Sequence, residues 1–174
     1  MMATEVAGVT IERGHLAELF LRHGPDAVRL AYLLTGDRAL AEDLVQEAFA
    51  KLVGRLLHLR KPDAFPAYLR KMVVNQSKMH FRRQHLERAY LEQLGVEASD
   101  EASGPEVDQR EDLWRALLAL PTRQRAALVL RYYEDLSEQQ IAETLRCRPG
   151  TVRSLLSRGV QTLRAGAESR GDLT

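Results

Sequence analysis

Cysteine occurs once, at Cys147, so the sequence excludes an intrachain disulfide and a cysteine cluster for zinc. A lone thiol suits a reducing compartment. No apolar run approaches the roughly 18 residues of a membrane-spanning helix. The opening MMATEVAGVTIERGHL has neither the basic leader nor the apolar centre of a signal peptide, which predicts a cytoplasmic protein. Period-two alternation is missing and β-branched residues never cluster, so no strand is expected. The chain also lacks a phosphate loop, a nucleophile motif and paired carboxylates in a glycine-rich setting. Its five histidines (His15, His23, His58, His80 and His85) offer no pair at ligand spacing, His80 and His85 being five residues apart. These absences argue against an enzyme and against any metal or cofactor.

Charge is present in quantity and segregated. The net charge of +1 comes from 25 Lys and Arg against 24 Asp and Glu. From Lys51 to Arg88 there are ten Lys or Arg and two acids, Asp63 and Glu87. From Gly95 to Arg110 there are five acids and one arginine, with Gly104-Pro105 punctuating the run. That acidic stretch reads as a flexible linker between two helical domains, residues 1–94 and 111–174, with 95–110 between them. With 45% hydrophobic residues, each half has material for a core.

Three helical patterns fill the first half. His15 to Leu34 carries Leu16, Leu19, Phe20, Leu30, Leu33 and Leu34, is broken or bent at Gly24-Pro25, and ends with Gly36 as a C-cap. Arg38 to Leu57 places Leu40, Leu44, Ala48, Phe49, Leu52 and Leu56 on one arc, with Glu42, Asp43, Gln46 and Glu47 opposite or beside it. The third starts near Pro66, a natural first-turn residue, and continues to Leu94 on a stripe of Leu69, Met72, Val73, Met79, Leu86 and Tyr90. In the second half, Leu113, Trp114, Leu117 and Leu118 form a short helix ending at Leu120-Pro121, with Trp114 as a core anchor. Thr122 is expected to cap the next, which carries Ala126, Leu128, Val129 and Tyr132.

The last two helices form a hairpin. Ser137 to Leu145 opens with a Ser137/Gln140 capping box and buries Ile141 and Leu145. A second helix from about Gly150 to Leu163 buries Val152, Leu155, Leu156, Val160 and Leu163. Between Thr144 and Ala167 stand five arginines (146, 148, 153, 158 and 164) and no acid. An amphipathic helix with arginines and hydroxyls on its wet face, docked across a support helix, is the helix-turn-helix pattern of a major-groove reader. An ordinary solvated hairpin has the same apolar stripe. Arg146 fills the turn position usually held by glycine, at a cost of up to about 1 kcal/mol if it is left-handed.

Three stretches together resemble the bacterial RNA polymerase sigma factors of the extracytoplasmic-function (ECF) class, closest to its actinobacterial sigma-E-like group. They are AYLLTGDRALAEDLVQEAFAKL (31–52), AYLRKMVVNQ (67–76) and LPTRQRAALVLRYYEDLSEQQIAETL with GTVRSLLSRG (120–159). The resemblance implies an all-α chain of sigma domain 2 and sigma domain 4. Its partners would be core RNA polymerase (β and β′ subunits), promoter DNA and, in some systems, an anti-sigma factor. It implies that Asp43, Gln46 and Glu47 grip the coiled-coil clamp of the largest polymerase subunit. It implies that Asn75 takes a base flipped from the −10 element, chosen by the preceding loop (His58 to Phe65), with Lys71, Lys78, Arg82 and Arg83 on the backbone. Tyr68 stands where the family often has tryptophan, and Phe65 and Tyr68 either stack on bases or pack in the core. Met79 replaces a polar residue of some relatives. In the last helix Thr151, Arg153, Ser154, Ser157 and Arg158 occupy the −35-reading positions, Thr151 near a helix N-terminus suited to phosphate. Arg153 and Arg158 can each fork onto a guanine. The acidic linker either threads toward the polymerase cleft or serves as a solvated spacer. The competing reading is a stand-alone helix-turn-helix regulator, which would need no polymerase and no role for Asp43 or Glu47.

Overall fold

The computed structural model describes residues 13–56, 64–94 and 109–168. Among them the chain is all helical: α1 (Arg13–Thr35), α2 (Arg38–Leu56), α3 (Phe65–Gln93), α4 (Gln109–Ala119), α5 (Thr122–Tyr132), α6 (Glu138–Leu145) and α7 (Pro149–Glu168). The expected linker, apart from Gln109 and Arg110 at the start of α4, and most of the loop before α3 lie outside the described residues.

Local chemistry sets most boundaries. Gly36 closes α1 at φ 78°, its amide donating to the Tyr32 carbonyl at 2.8 Å. Asp37 then opens α2, its Oδ1 accepting from the Leu40 amide at 3.0 Å. Of the break or bend expected at Gly24-Pro25, the break does not occur, and α1 runs through Pro25 as one helix. Thr122 does not cap α5. It is the first helical residue, the cap position is Pro121, and no side chain closes that end. The Ser137 box is present in both directions, with Oγ accepting from the Gln140 amide at 3.3 Å and the Ser137 amide donating to Gln140 Oε1 at 2.9 Å. Arg146 sits at φ 53°, ψ 55°, so the turn between α6 and α7 holds a left-handed arginine.

Helices α1, α2 and α3 pack on one another through Ala27, Leu30, Ala31, Ala41, Val45, Ala48, Phe49, Leu52, Phe65, Leu69 and Val73. Helix α5 packs against α7 and α6, burying Ala127, Leu130, Ile141 and Val152. Gly159 permits this crossing, because a Cβ there would lie 2.9 Å from Leu128 Cδ1. The second half of α3 departs from the expected stripe. Met79, Leu86 and Tyr90 are 48%, 60% and 63% exposed: Met79 points away from the buried side of α3, and from Arg82 onward no described residue of the helix is buried. Leu113 and Tyr132 are exposed as well.

The two halves are in contact. Trp114 is only half-buried and is no core anchor; its ring stacks on Tyr32 of α1 with centroids 4.8 Å apart. Arg70 Nε of α3 donates to Glu134 Oε2 at 2.6 Å, a largely shielded ion pair. Arg125 of α5 is buried and reaches the other half. Its guanidinium donates to the Leu34 carbonyl at 2.6 Å, and to those of Leu118 and Leu120 at 2.6 and 3.1 Å. The Phe81 ring lies 5.4 Å from Arg125 Cζ, within cation–π range. Burial lowers the Arg125 pKa, and its buried Nε has no hydrogen-bond partner.

Candidate nucleic-acid interface

On α3, Tyr68, Lys71, Asn75, Lys78 and Arg82 recur at alternating spacings of three and four, so one helix face carries them all over about 21 Å. Tyr68, Lys78, Arg82 and Arg83 are exposed, and Lys71 and Asn75 half-buried. Asn75 stands on a firm base: Val73, Val74, Gln76 and Ser77 around it are buried, and Ser77 Oγ donates to the Val73 carbonyl at 3.0 Å. An amide between flanking cations can present both a donor and an acceptor to an unstacked base, with the cations following the backbone. Phe65 is 1% exposed and packs edge-on against Phe49, so its role is core. Tyr68 remains open for stacking at 48%.

On α2, Asp43, Gln46 and Glu47 are exposed while Leu44, Val45 and Ala48 between them are buried, so the polar face is set by packing. Glu47 Oε1 accepts from Lys51 Nζ at 2.6 Å. That bond lowers the Glu47 pKa, helped by the Lys51 charge, the Gln76 amide and the Arg83 charge, against a desolvation that raises it. Glu47 therefore belongs to the face expected to hold a protein, yet it senses α3, the basic helix. Gln46 lines a groove of about 720 Å³ between α1 and α2, with Phe20, Leu21, Arg29, Tyr32 and Glu42.

On α7, Thr151, Arg153, Ser154, Ser157 and Arg158 are all exposed, whereas Val152 is fully buried and Leu155 and Leu156 are half-buried. The five residues form two adjacent rows on the first three turns of α7. The Thr151 amide is already bound to the Arg148 carbonyl at 2.9 Å, so the exposed hydroxyl is the group Thr151 can still offer a ligand. Ser154 Oγ donates to the Gly150 carbonyl at 3.1 Å and keeps acceptor capacity outward. Arg153 Nε donates to Glu138 Oε2, 2.7 Å away on the support helix.

Sequence reasoning missed three side chains. Glu138 was visible only as a helix-opening acid. Gln76 appeared as a polar residue beside Asn75, and Arg125 as an ordinary basic residue on α5. Periodicity could have flagged Arg125, which falls beside Ala126 and Val129 on the buried face.

Known proteins extend the geometry. Residues 19–87 match the family description Sigma-70 region 2, and residues 110–163 match Sigma-70, region 4. The chain is 34% identical over 148 residues to the RNA polymerase sigma-E factor of Streptomyces coelicolor, covering 84% of this chain and 83% of that protein. It is 38% identical over 153 residues to the ECF RNA polymerase sigma factor SigE of Mycolicibacterium smegmatis, covering 84% of this chain and 59% of that protein. In fold it is similar to the sigma factor RpoE of Bartonella quintana, solved with the anti-sigma factor NepR. The TM-score is 0.70 at 24% identity, over 87% of this chain and 96% of that one. The helix-turn-helix, the basic α3 face and these matches agree: the chain belongs to the RNA polymerase sigma factors of the ECF class.

Proposed function

We propose that this chain is the promoter-specificity subunit of a bacterial RNA polymerase, acting in the cytoplasm and performing no catalysis of its own. Residues 1–94 bind core polymerase and read and open the −10 element, 95–110 link, and 111–174 read the −35 duplex. Asp43, Gln46 and Glu47 supply the acidic and amide groups toward polymerase. Asn75 receives the extruded −10 base, with Lys71, Lys78, Arg82 and Arg83 along the strand and Tyr68 stacking. Arg153 and Arg158 read base edges in the −35 major groove, and Thr151, Ser154 and Ser157 supply hydroxyls to it. An anti-sigma partner belongs to the proposal by analogy with the RpoE–NepR complex.

The observation that carries this reading is the pairing of two unlike nucleic-acid faces in one chain. One is an α3 stripe suited to a single strand, and the other an α7 surface suited to a groove. A stand-alone duplex reader has no use for the first. Run-off transcription with core polymerase on a promoter pool tests the proposal. Transcripts above the core-alone background are expected, and none would overturn it. Asn75→Ala should slow promoter opening by about tenfold or more while closed-complex affinity changes less than threefold, on the view that only the open state uses the extruded base.

A further inference from the structure

Among the described residues, Arg153 is the only arginine of the α6–α7 hairpin paired with a carboxylate. Its partner, Glu138, is the first residue of α6, fifteen positions earlier in sequence, and the pair bridges the support helix and the recognition helix at 2.7 Å. Both side chains are open to solvent, Arg153 at 69% and Glu138 at 40%. The bond uses only the Nε–H of a guanidinium that has five N–H donors in a rigid planar fork. With Nε turned back onto Glu138, the two Nη groups form the free end of the plane, and that end carries the parallel donors a guanine O6/N7 edge accepts. A long side chain that would otherwise sample many rotamers is thereby held with its reading end outward.

The pair also places a negative charge at the rim of the surface that approaches phosphates. That charge weakens sequence-independent attraction, which is electrostatic, while supporting the one arginine it orients. Both effects raise the ratio of specific to non-specific binding.

We propose that Glu138 is a positioning residue for −35 specificity: it fixes Arg153 in an end-on geometry for guanine and tunes down non-specific duplex binding. The proposal rests on the reading of Arg153 as a base-contacting residue. A merely structural role, Glu138 as a favourable charge at the start of α6, predicts something different. Losing it would weaken specific and non-specific binding together, along with thermal stability.

The test uses the full chain assembled with core polymerase, a promoter pool randomised only in the −35 hexamer, and a random-sequence duplex as the non-specific probe. Wild type is expected to prefer guanine at the positions read by Arg153 and Arg158, and Arg153→Ala to abolish the first of these preferences. Glu138→Gln and Glu138→Ala should each reduce it about fivefold or more, leave the position lost in Arg158→Ala unchanged, and tighten binding to the random duplex about twofold. Opposite signs at the two probes are the signature. If Arg153→Ala leaves every preference intact, the base-reading role of Arg153 fails and the proposal with it. If Arg153→Ala removes a preference that both Glu138 variants retain, the positioning role alone is overturned. A uniform loss at all positions and at the random duplex also overturns it.

Discussion

Replacing Arg125 by alanine should separate the two halves of this protein before it unfolds either one. The guanidinium holds three carbonyls, those of Leu34 at the end of α1, of Leu118 in the last turn of α4 and of Leu120 just after it. Hydrogen bonds to a charged group contribute about 1.5–3 kcal/mol each, so the three together are worth roughly 5–9 kcal/mol gross. Against this stands the desolvation of a cation with no carboxylate beside it among the described residues, a penalty of several kcal/mol. The same burial lowers its pKa. Truncation relieves that penalty but leaves carbonyls without donors at about 1–3 kcal/mol each where water does not enter. A net loss of about 3–5 kcal/mol is expected, the range for removing one side of a buried charged contact. One of the three bonds joins the halves across 91 residues of sequence and the other two tie α5 to the end of α4, so the loss is shared between the docking of the halves and the seating of α4, the helix that carries Trp114.

Trp114, the only tryptophan, stacks on Tyr32 across the same junction and reports on it directly. In a urea titration of Arg125→Ala, the Trp114 fluorescence transition should move down by about 1.5–2.5 M, taking m near 2 kcal/mol/M. The far-UV circular dichroism transition should move less, so the two probes cease to coincide. Arg125→Lys should fall between, because an ammonium cannot fork among three acceptors in the same plane. Coincident transitions in Arg125→Ala, shifted by less than about 0.5 kcal/mol, the ordinary surface range, would refute the reasoning.

Arg146→Gly should raise stability by about 0.5–1 kcal/mol in thermal unfolding, because glycine adopts the left-handed turn without the Cβ clash and returns part of the gain as unfolded-chain entropy. Gly36→Ala should lower stability by about 1–3 kcal/mol. Its φ is 78°, and the new Cβ would lie 2.8 Å from Leu118 Cδ1, so strain and overpacking add at the junction of the halves. Glu47 should titrate by carboxylate NMR below the ordinary value of about 4.3, and Lys51→Ala should raise its midpoint. Because its folded pKa is lowered, any stability it contributes is present above the unfolded value and is lost as pH falls through the folded one. Charge reversal of Asp43 or Glu47 to Lys should weaken core polymerase binding about tenfold or more while leaving the melting temperature within about 2 °C of wild type, the response of an exposed surface site.

Helix positions, the Gly36 stop, the Ser137 capping box and the exposed faces of α2 and α7 follow from the sequence alone. Each depends on residues three to seven positions apart, and on a helix such residues share a face whatever the rest of the chain does. The same holds for the Tyr68, Lys71, Asn75, Lys78 and Arg82 stripe. Tertiary structure decided what local period cannot. Pro25 is accommodated in the middle of α1, since a 23-residue helix packed along α2 and α3 tolerates one missing amide. Met79, Leu86 and Tyr90 were read onto the buried stripe but stay in solvent, because burial needs a packed neighbour and none among the described residues covers them. The bonds from Arg70 to Glu134 and from Arg125 to Leu34 join residues 64 and 91 positions apart, and the Arg153 pairing with Glu138 requires two helices to cross at a particular place. The sequence determined which surfaces this protein can present. How an arginine on one of them is aimed, and how the two halves hold each other, follow from contacts between elements that only the folded chain brings together.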